Sequence, residues 1–261
     1  MISQKTLLNS QTGSLAVSDS GNVIRLTNLK QVWQGRVVLD IPDLILDRGK
    51  RYALLGANGS GKSTLLRLLA PLLAVPAGET GYLPQKPYPF AMSVSHNIRL
   101  GIPADTAVSP LERQRMIRDQ LAAMDLIPLA DARGNRLSGG EAQRMALARL
   151  LVVPRSVLLI DEPTSGLDLD SLARAEATLA GYLNRNSCLL VLATHQVSLA
   201  RRLCDELIFL DQGKLQVAGP VAELLNPKLT KEKQDSLLNL FLRYEQGLFD
   251  SDQDEEGMKP C

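Results

Sequence analysis

Residues 56–64 read GANGSGKST, which satisfies the spacing G-x-x-x-x-G-K-[ST]. Gly56, Gly59 and Gly61 allow successive backbone N–H groups, those of Asn58 and Ser60 among them, to wrap around phosphate oxygens. A helix starting near Lys62, Ser63 and Thr64 adds a favourable dipole. From there Lys62 can reach the terminal phosphates of a nucleotide and the Ser63 hydroxyl can ligate Mg²⁺. A tight glycine turn that binds nothing is the bland alternative, and the apolar strand pattern before it and helix pattern after it weigh against that. About 100 residues on, VLLIDEP (157–163) is a short apolar run ending in two acids. Asp161 would hold Mg²⁺, directly or through water, and Glu162 would polarise an attacking water. Two carboxylates at a solvated strand end would be unremarkable alone; paired with a phosphate loop they suit phosphoryl transfer.

Two further stretches bear on that chemistry. LSGGE (137–141) reads as a capping box in which Ser138 and Glu141 satisfy each other's backbone. That leaves Gly139 and Gly140 unexplained in a first turn, where glycine costs about 1 kcal/mol relative to alanine, and an anion approaching bare N–H groups would explain them. Upstream, GETGYLPQKPYP (78–89) places Gln85 a short way beyond the phosphate loop, either as an ordinary loop amide or as a group that senses nucleotide.

These residues need a scaffold that gathers them. RYALLG (51–56) reads as a buried strand entering the glycine turn, and STLLRLLAPLL as an apolar helix that Pro71 kinks or ends. VLLID and CLLVLATH are short apolar runs separated by a helical segment at 169–184, the rhythm of a mostly parallel α/β sheet. VIRLTNL (23–29) alternates like an edge strand, VVLDIPDLIL (37–46) continues in kind, and ELIFLDQGKLQVAGP (206–220) reads as two strands about a Gln212-Gly213 turn. Leu111, Met116, Ile117, Leu121 and Met124 recur at helical spacing. Residues 1–22, rich in Ser, Gln, Thr and Gly, read as a flexible leader, and 228–261 as a short amphipathic helix followed by an acidic end.

Composition narrows the class. A chain of 261 residues with 45% hydrophobic and 22% charged residues can bury a substantial core, and a net charge of +1 does not advertise nucleic acid. The longest apolar runs fall far below the roughly 20 residues that cross a bilayer. The three cysteines lack the spacing of a zinc or redox pair.

GANGSGKST, LSGGE, LLIDEPTSGLD and ATH occur in the order found in ATP-binding cassette (ABC) ATPases, which the chain resembles over about residues 23–227. The resemblance implies an α/β fold: a P-loop NTPase core with a mostly parallel sheet, a small antiparallel β subdomain and an inserted α-helical subdomain at about 86–155. It implies ATP and Mg²⁺ as cofactors and a head-to-tail dimer, in which Ser138, Gly139 and Gly140 of one copy contact the γ-phosphate held by Lys62 of the other. By the same likeness Glu162 matches the catalytic base, His195 the switch histidine on the γ-phosphate, and Asp168 the loop that couples the two sites. Trp33 fits the aromatic that stacks on adenine. Gln85 matches a glutamine that touches Mg²⁺ or the attacking water and contacts the membrane subunit.

Within that family, one cassette and 52 residues between Gln85 and Ser138 suit a detachable importer subunit at the cytoplasmic face of the cell membrane. The partners implied are a second ATPase subunit, an integral membrane permease and a substrate-binding protein, with no nucleic acid. A soluble ABC ATPase acting on ribosomes or nucleic acid is the alternative. One departure stands out: only 22 residues separate Lys62 from Gln85, which predicts an antiparallel subdomain trimmed by one hairpin.

Overall fold

The computed structural model describes residues 3–7, 15–73 and 79–225. In chain order its elements begin with β1 (Ser3–Leu7), β2 (Leu15–Asp19), β3 (Val23–Trp33), β4 (Arg36–Asp47), β5 (Arg51–Leu55), α1 (Lys62–Leu72) and β6 (Thr80–Leu83). A helical insertion follows: α2 (Val94–Arg99), α3 (Pro110–Ala123) and α4 (Gly139–Leu151), with 3-10 turns at Ile127–Leu129 and Gly134–Arg136. The chain then runs β7 (Val157–Asp161), α5 (Leu169–Arg185), β8 (Leu189–Ala193), α6 (Val197–Leu203), β9 (Glu206–Asp211), β10 (Lys214–Pro220) and α7 (Val221–Leu224).

Among the described residues, six strands form the central sheet in the order β10-β9-β5-β8-β7-β6. Every pairing from β9 to β6 is parallel, and β10 turns back antiparallel on β9. Side chains of a strand alternate between faces, and here the alternation divides the core in two. In β7, Leu158 and Ile160 face the cluster built with α4, α5 and α6, while Val157 and Leu159 join Leu65, Leu66 and Leu69 of α1. In β8, Leu190 and Leu192 go to the first cluster, and Leu189, Val191 and Ala193 to the second. Strands covered on both faces read as unbroken apolar runs, which is why VLLI and LLVLA are legible without alternation. Helix α1 ends at Leu72, one residue after Pro71, as its missing N–H and ring predict.

The antiparallel sheet differs from expectation. Its order is β1-β2-β3-β4, so two strands lie within the stretch read as a flexible leader, and β3 is an interior strand rather than an edge. Val17 of β2 is buried in the same cluster as Ile24 and Leu26 of β3; one apolar contact amid Ser, Gln and Gly left little periodicity to read. The antiparallel subdomain expected is present, with four strands among the described residues. Between α1 and β6 the chain has only Leu73 to Glu79. The tail helix expected beyond residue 227 lies outside the described residues.

In the helical insertion Ser109 caps α3, accepting from the Glu112 amide at 3.1 Å, with Pro110 at the first helical position. Leu121 and Met124 enter the core, whereas Leu111, expected on the same face, is exposed.

The β9–β10 turn ties the two sheets to the phosphate loop. The Gly213 amide donates to Ser60 O at 3.0 Å, and Gly213 O accepts from the Asp40 amide at 2.8 Å. Gly213 has φ +76°, and a Cβ there would sit 2.3 Å from Val38 O. Gly213→Ala is therefore expected to destabilise the fold by about 2 kcal/mol or more, read as a lower urea midpoint, and to weaken ATP binding by shifting Ser60.

Candidate functional site

Strand order decides what can meet. Because β5, β8 and β7 are neighbours and parallel, the segments leaving their carboxyl ends emerge side by side. These are the loop 56–61, Thr194-His195, and Asp161-Glu162; β6, beyond β7, delivers Gln85 to the same edge.

The phosphate loop, the acid pair and Gln85 enclose a cavity of about 430 Å³ lined by Val38, Asn58, Gly59, Gly61, Lys62, Ser63, Thr64, Gln85, Asp161 and Glu162, and His195 is not among the lining residues. Gly56 turns the chain out of β5 at φ +151°, where a Cβ would lie 2.2 Å from Leu210 O and 2.6 Å from Ser60 Oγ. Only glycine fits this close approach. Lys62 is buried, and its ammonium donates to Gly56 O at 2.6 Å and Ala57 O at 2.9 Å. Burial pulls its pKa below the ordinary lysine value against the attraction of Glu162 and Asp161. Ser60 Oγ is buried with no hydrogen-bond partner among the described residues. An orphaned hydroxyl beside a lysine that satisfies itself on its own loop suits a site whose proper occupant is an anion.

Asp161 and Glu162 are only 2% and 5% exposed. Glu162 adopts φ +50°, a left-handed conformation rare for a side-chain-bearing residue, and its amide donates to Ala193 O at 2.9 Å. Its Oε2 lies 2.8 Å from His195 Nδ1. An ionised carboxylate can only accept, so that nitrogen carries the proton. Burial raises the Glu162 pKa above the usual carboxylate range, and Asp161 adds to the rise. His195 and Lys62 oppose it. A buried carboxyl of raised pKa, open to a cavity, has the character of a general base.

Other predicted residues lie apart. Ser138, Gly139 and Gly140 form the start of α4 and do not line the cavity, nor does Asp168. The Ser138 capping box is present as read: Ser138 N and Oγ donate to Glu141 Oε2 at 2.8 and 2.9 Å. Asp168 caps α5 by accepting from the Ser171 amide at 2.9 Å. Trp33 sits at the end of β3, 64% exposed, and is likewise not among the lining residues, although Val38 of the adjoining β4 is. Sequence reasoning missed Val38 and the Gly213 clamp, which no local motif marks. It also missed Gln143, buried in α4, whose amide reaches the backbone after β7.

A glycine loop closed on a buried lysine, facing a buried acid pair at the carboxyl edge of a parallel sheet, defines a P-loop nucleoside triphosphatase. The family model described as "ABC transporter" matches residues 39–165. The "Tungstate uptake system ATP-binding protein TupC" of Peptoclostridium acidaminophilum is 30% identical, over 74% of this chain and 96% of the relative. The "Nickel import ATP-binding protein NikO" of Rhodobacter capsulatus is 36% identical, over 77% and 90%. In three dimensions, a dimeric ATP-binding cassette in a post-hydrolysis state bound to ADP and Pi has a TM-score of 0.67 at 22% identity, over 76% of this chain and 98% of that one. The chain belongs to the ABC transporter family and is an ATP-binding, ATP-hydrolysing subunit.

Proposed function

We propose that this subunit powers an importer, pairing with a second copy to sandwich two ATP molecules and docking on an integral membrane permease at the cytoplasmic face of the cell membrane. A substrate-binding protein would deliver the cargo. The observation that carries the catalytic part is the single cavity shared by Lys62, Ser63, Gln85, Asp161 and Glu162. The direction of transport rests on relatives that are named as uptake and import ATP-binding proteins.

Each residue then has a task. The loop from Gly56 through Gly61 and Lys62 holds the phosphates, with Thr64 at the helix start, and Trp33 stacks on adenine from the tip of its hairpin. Ser63, Gln85 and Asp161 offer only oxygen donors to one cavity, the donor set a hard divalent cation such as Mg²⁺ prefers, and bound Mg²⁺ would neutralise charge on the phosphates. Glu162 accepts a proton from the water that attacks the γ-phosphorus, as the bond to the bridging oxygen breaks and ADP leaves. His195 orients Glu162 and reaches the γ-phosphate. Ser138, Gly139 and Gly140 of the second copy close the site, and Asp168 couples the two sites.

Tagged protein purified from detergent-solubilised membranes is expected to bring down a polytopic permease in near-equal amount. Recovery with ribosomes and no membrane protein would overturn the transport reading.

A further inference from the structure

Helix α4 carries the Ser138–Gly140 turn at its start, and one turn later it touches the segment that holds Glu162. Gln143 is 3% exposed. Its Nε2 donates to Glu162 O at 3.3 Å and to Pro163 O at 3.1 Å. These two carbonyls follow the end of β7, where the strand ladder no longer supplies partners. The first belongs to Glu162, whose backbone adopts φ +50° and whose carbonyl also accepts from the Ser165 amide at 3.3 Å, so the amide of Gln143 adds a side-chain brace to a strained turn.

The contact is part of a continuous face. Gly140, Gln143 and Arg144 stand at i, i+3 and i+4 on one side of α4. Gly140 packs beside Gly166 and Leu167, within ordinary van der Waals reach of where its Cβ would be. The Arg144 guanidinium donates to Ser171 Oγ at 2.6 Å, and Ser171 Oγ in turn donates to Asp168 Oδ2 at 2.9 Å. One helix face therefore braces the chain from Glu162 to Ser171.

We infer that Gln143 is a positioning residue for hydrolysis: its side-chain amide holds the Glu162 turn against α4, so that the helix bearing Ser138–Gly140 sets the aim of its own chain's carboxylate. The inference rests on Glu162 being the base. A displacement of Ser138–Gly140 would thereby be felt at Glu162 through one side chain.

Gln143→Met keeps the length of the side chain and removes the donor. In the full-length ATPase, with rates expressed per ATP-binding site, kcat is expected to fall about tenfold with KM for MgATP within about twofold of the parent. A residue that only supports the fold would lower the count of binding sites and leave the rate per site unchanged. The decisive comparison is with Glu162→Gln: the double variant should be no slower than Glu162→Gln alone, because the group being aimed is already gone. Losses that multiply, or an unaltered kcat in Gln143→Met, overturn the inference while leaving Glu162 as base. Unchanged turnover in Glu162→Gln alone removes the base, and the inference with it. Should Gln143→Met fail to fold, Gln143→Asn, which keeps the amide but withdraws it, carries the test with the same split at about threefold.

Discussion

Glu162→Gln is expected to cut steady-state ATP turnover by about 10²-fold or more while raising the melting temperature of the nucleotide-free chain. The two effects share one cause. Glu162 is buried beside Asp161, and that surrounding penalises its charged form more than His195 and Lys62 relieve it, so its folded pKa stands above the ordinary 4.5. Below that ordinary value the carboxyl is protonated in both the folded and the unfolded chain and the wild-type glutamate costs nothing. As pH rises, the unfolded chain releases its proton first while the folded chain retains it. Stability is therefore lost through the window above 4.5, until the folded carboxyl has ionised as well. Gln keeps the shape, carries no charge to desolvate and cannot take a proton from water. Its stability advantage should be absent near pH 4 and reach a plateau above the folded pKa, a profile that melting curves across pH would resolve. Turnover that survives the substitution would remove Glu162 from the reaction. A melting temperature that falls at neutral pH would show that the carboxylate is held by attraction rather than strained by burial.

This tension between stability and activity explains why the site was so legible in sequence. Residues that violate local preference, such as glycines in a turn, acids at the end of an apolar strand, or glycines inside a helix's first turn, stand out against a background that otherwise obeys propensity and pattern. Each violation carried its own spacing, and the buried parallel strands β5, β7 and β8 announced where the spacing would converge. What escaped was held by contacts between distant segments. Among the described side chains of β2, Val17 is buried against β3, and the LAVSD stretch around it shows no alternation that would mark a strand. The Gly213 clamp joins residues some 150 positions apart in the chain through the Ser60 carbonyl, and a backbone acceptor has no sequence signature. Gln143 carries no spacing of its own that would single it out in the sequence. Only the register of α4 against the turn after β7 turns that residue inward, and register between a helix and a loop is a property of the packed core.

Gly139→Asp is expected to leave the isolated subunit folded and able to bind ATP, and to abolish turnover. Nothing lies within 4 Å of a Cβ at Gly139, so a side chain there meets open space. An acid in the first turn of α4 is favoured by the helix dipole, and replacing glycine restores helix propensity, so melting temperature should hold or rise slightly. In the proposed head-to-tail dimer the same position would face the γ-phosphate bound by the second copy. Two like charges about 4 Å apart at an effective dielectric of 20 repel by about 4 kcal/mol. That would weaken ATP-driven pairing roughly a thousandfold at each interface. The measurement pairs this substitution with Glu162→Gln. With ATP and Mg²⁺ the single Glu162→Gln variant should elute as a stable dimer, since the nucleotide that holds it is not consumed. Adding Gly139→Asp should return it to monomer with ATP affinity unchanged. A dimer that persists would mean that the Ser138–Gly140 turn does not close on nucleotide. Loss of ATP binding by the monomer would place that turn in the chain's own cavity, where the geometry does not bring it.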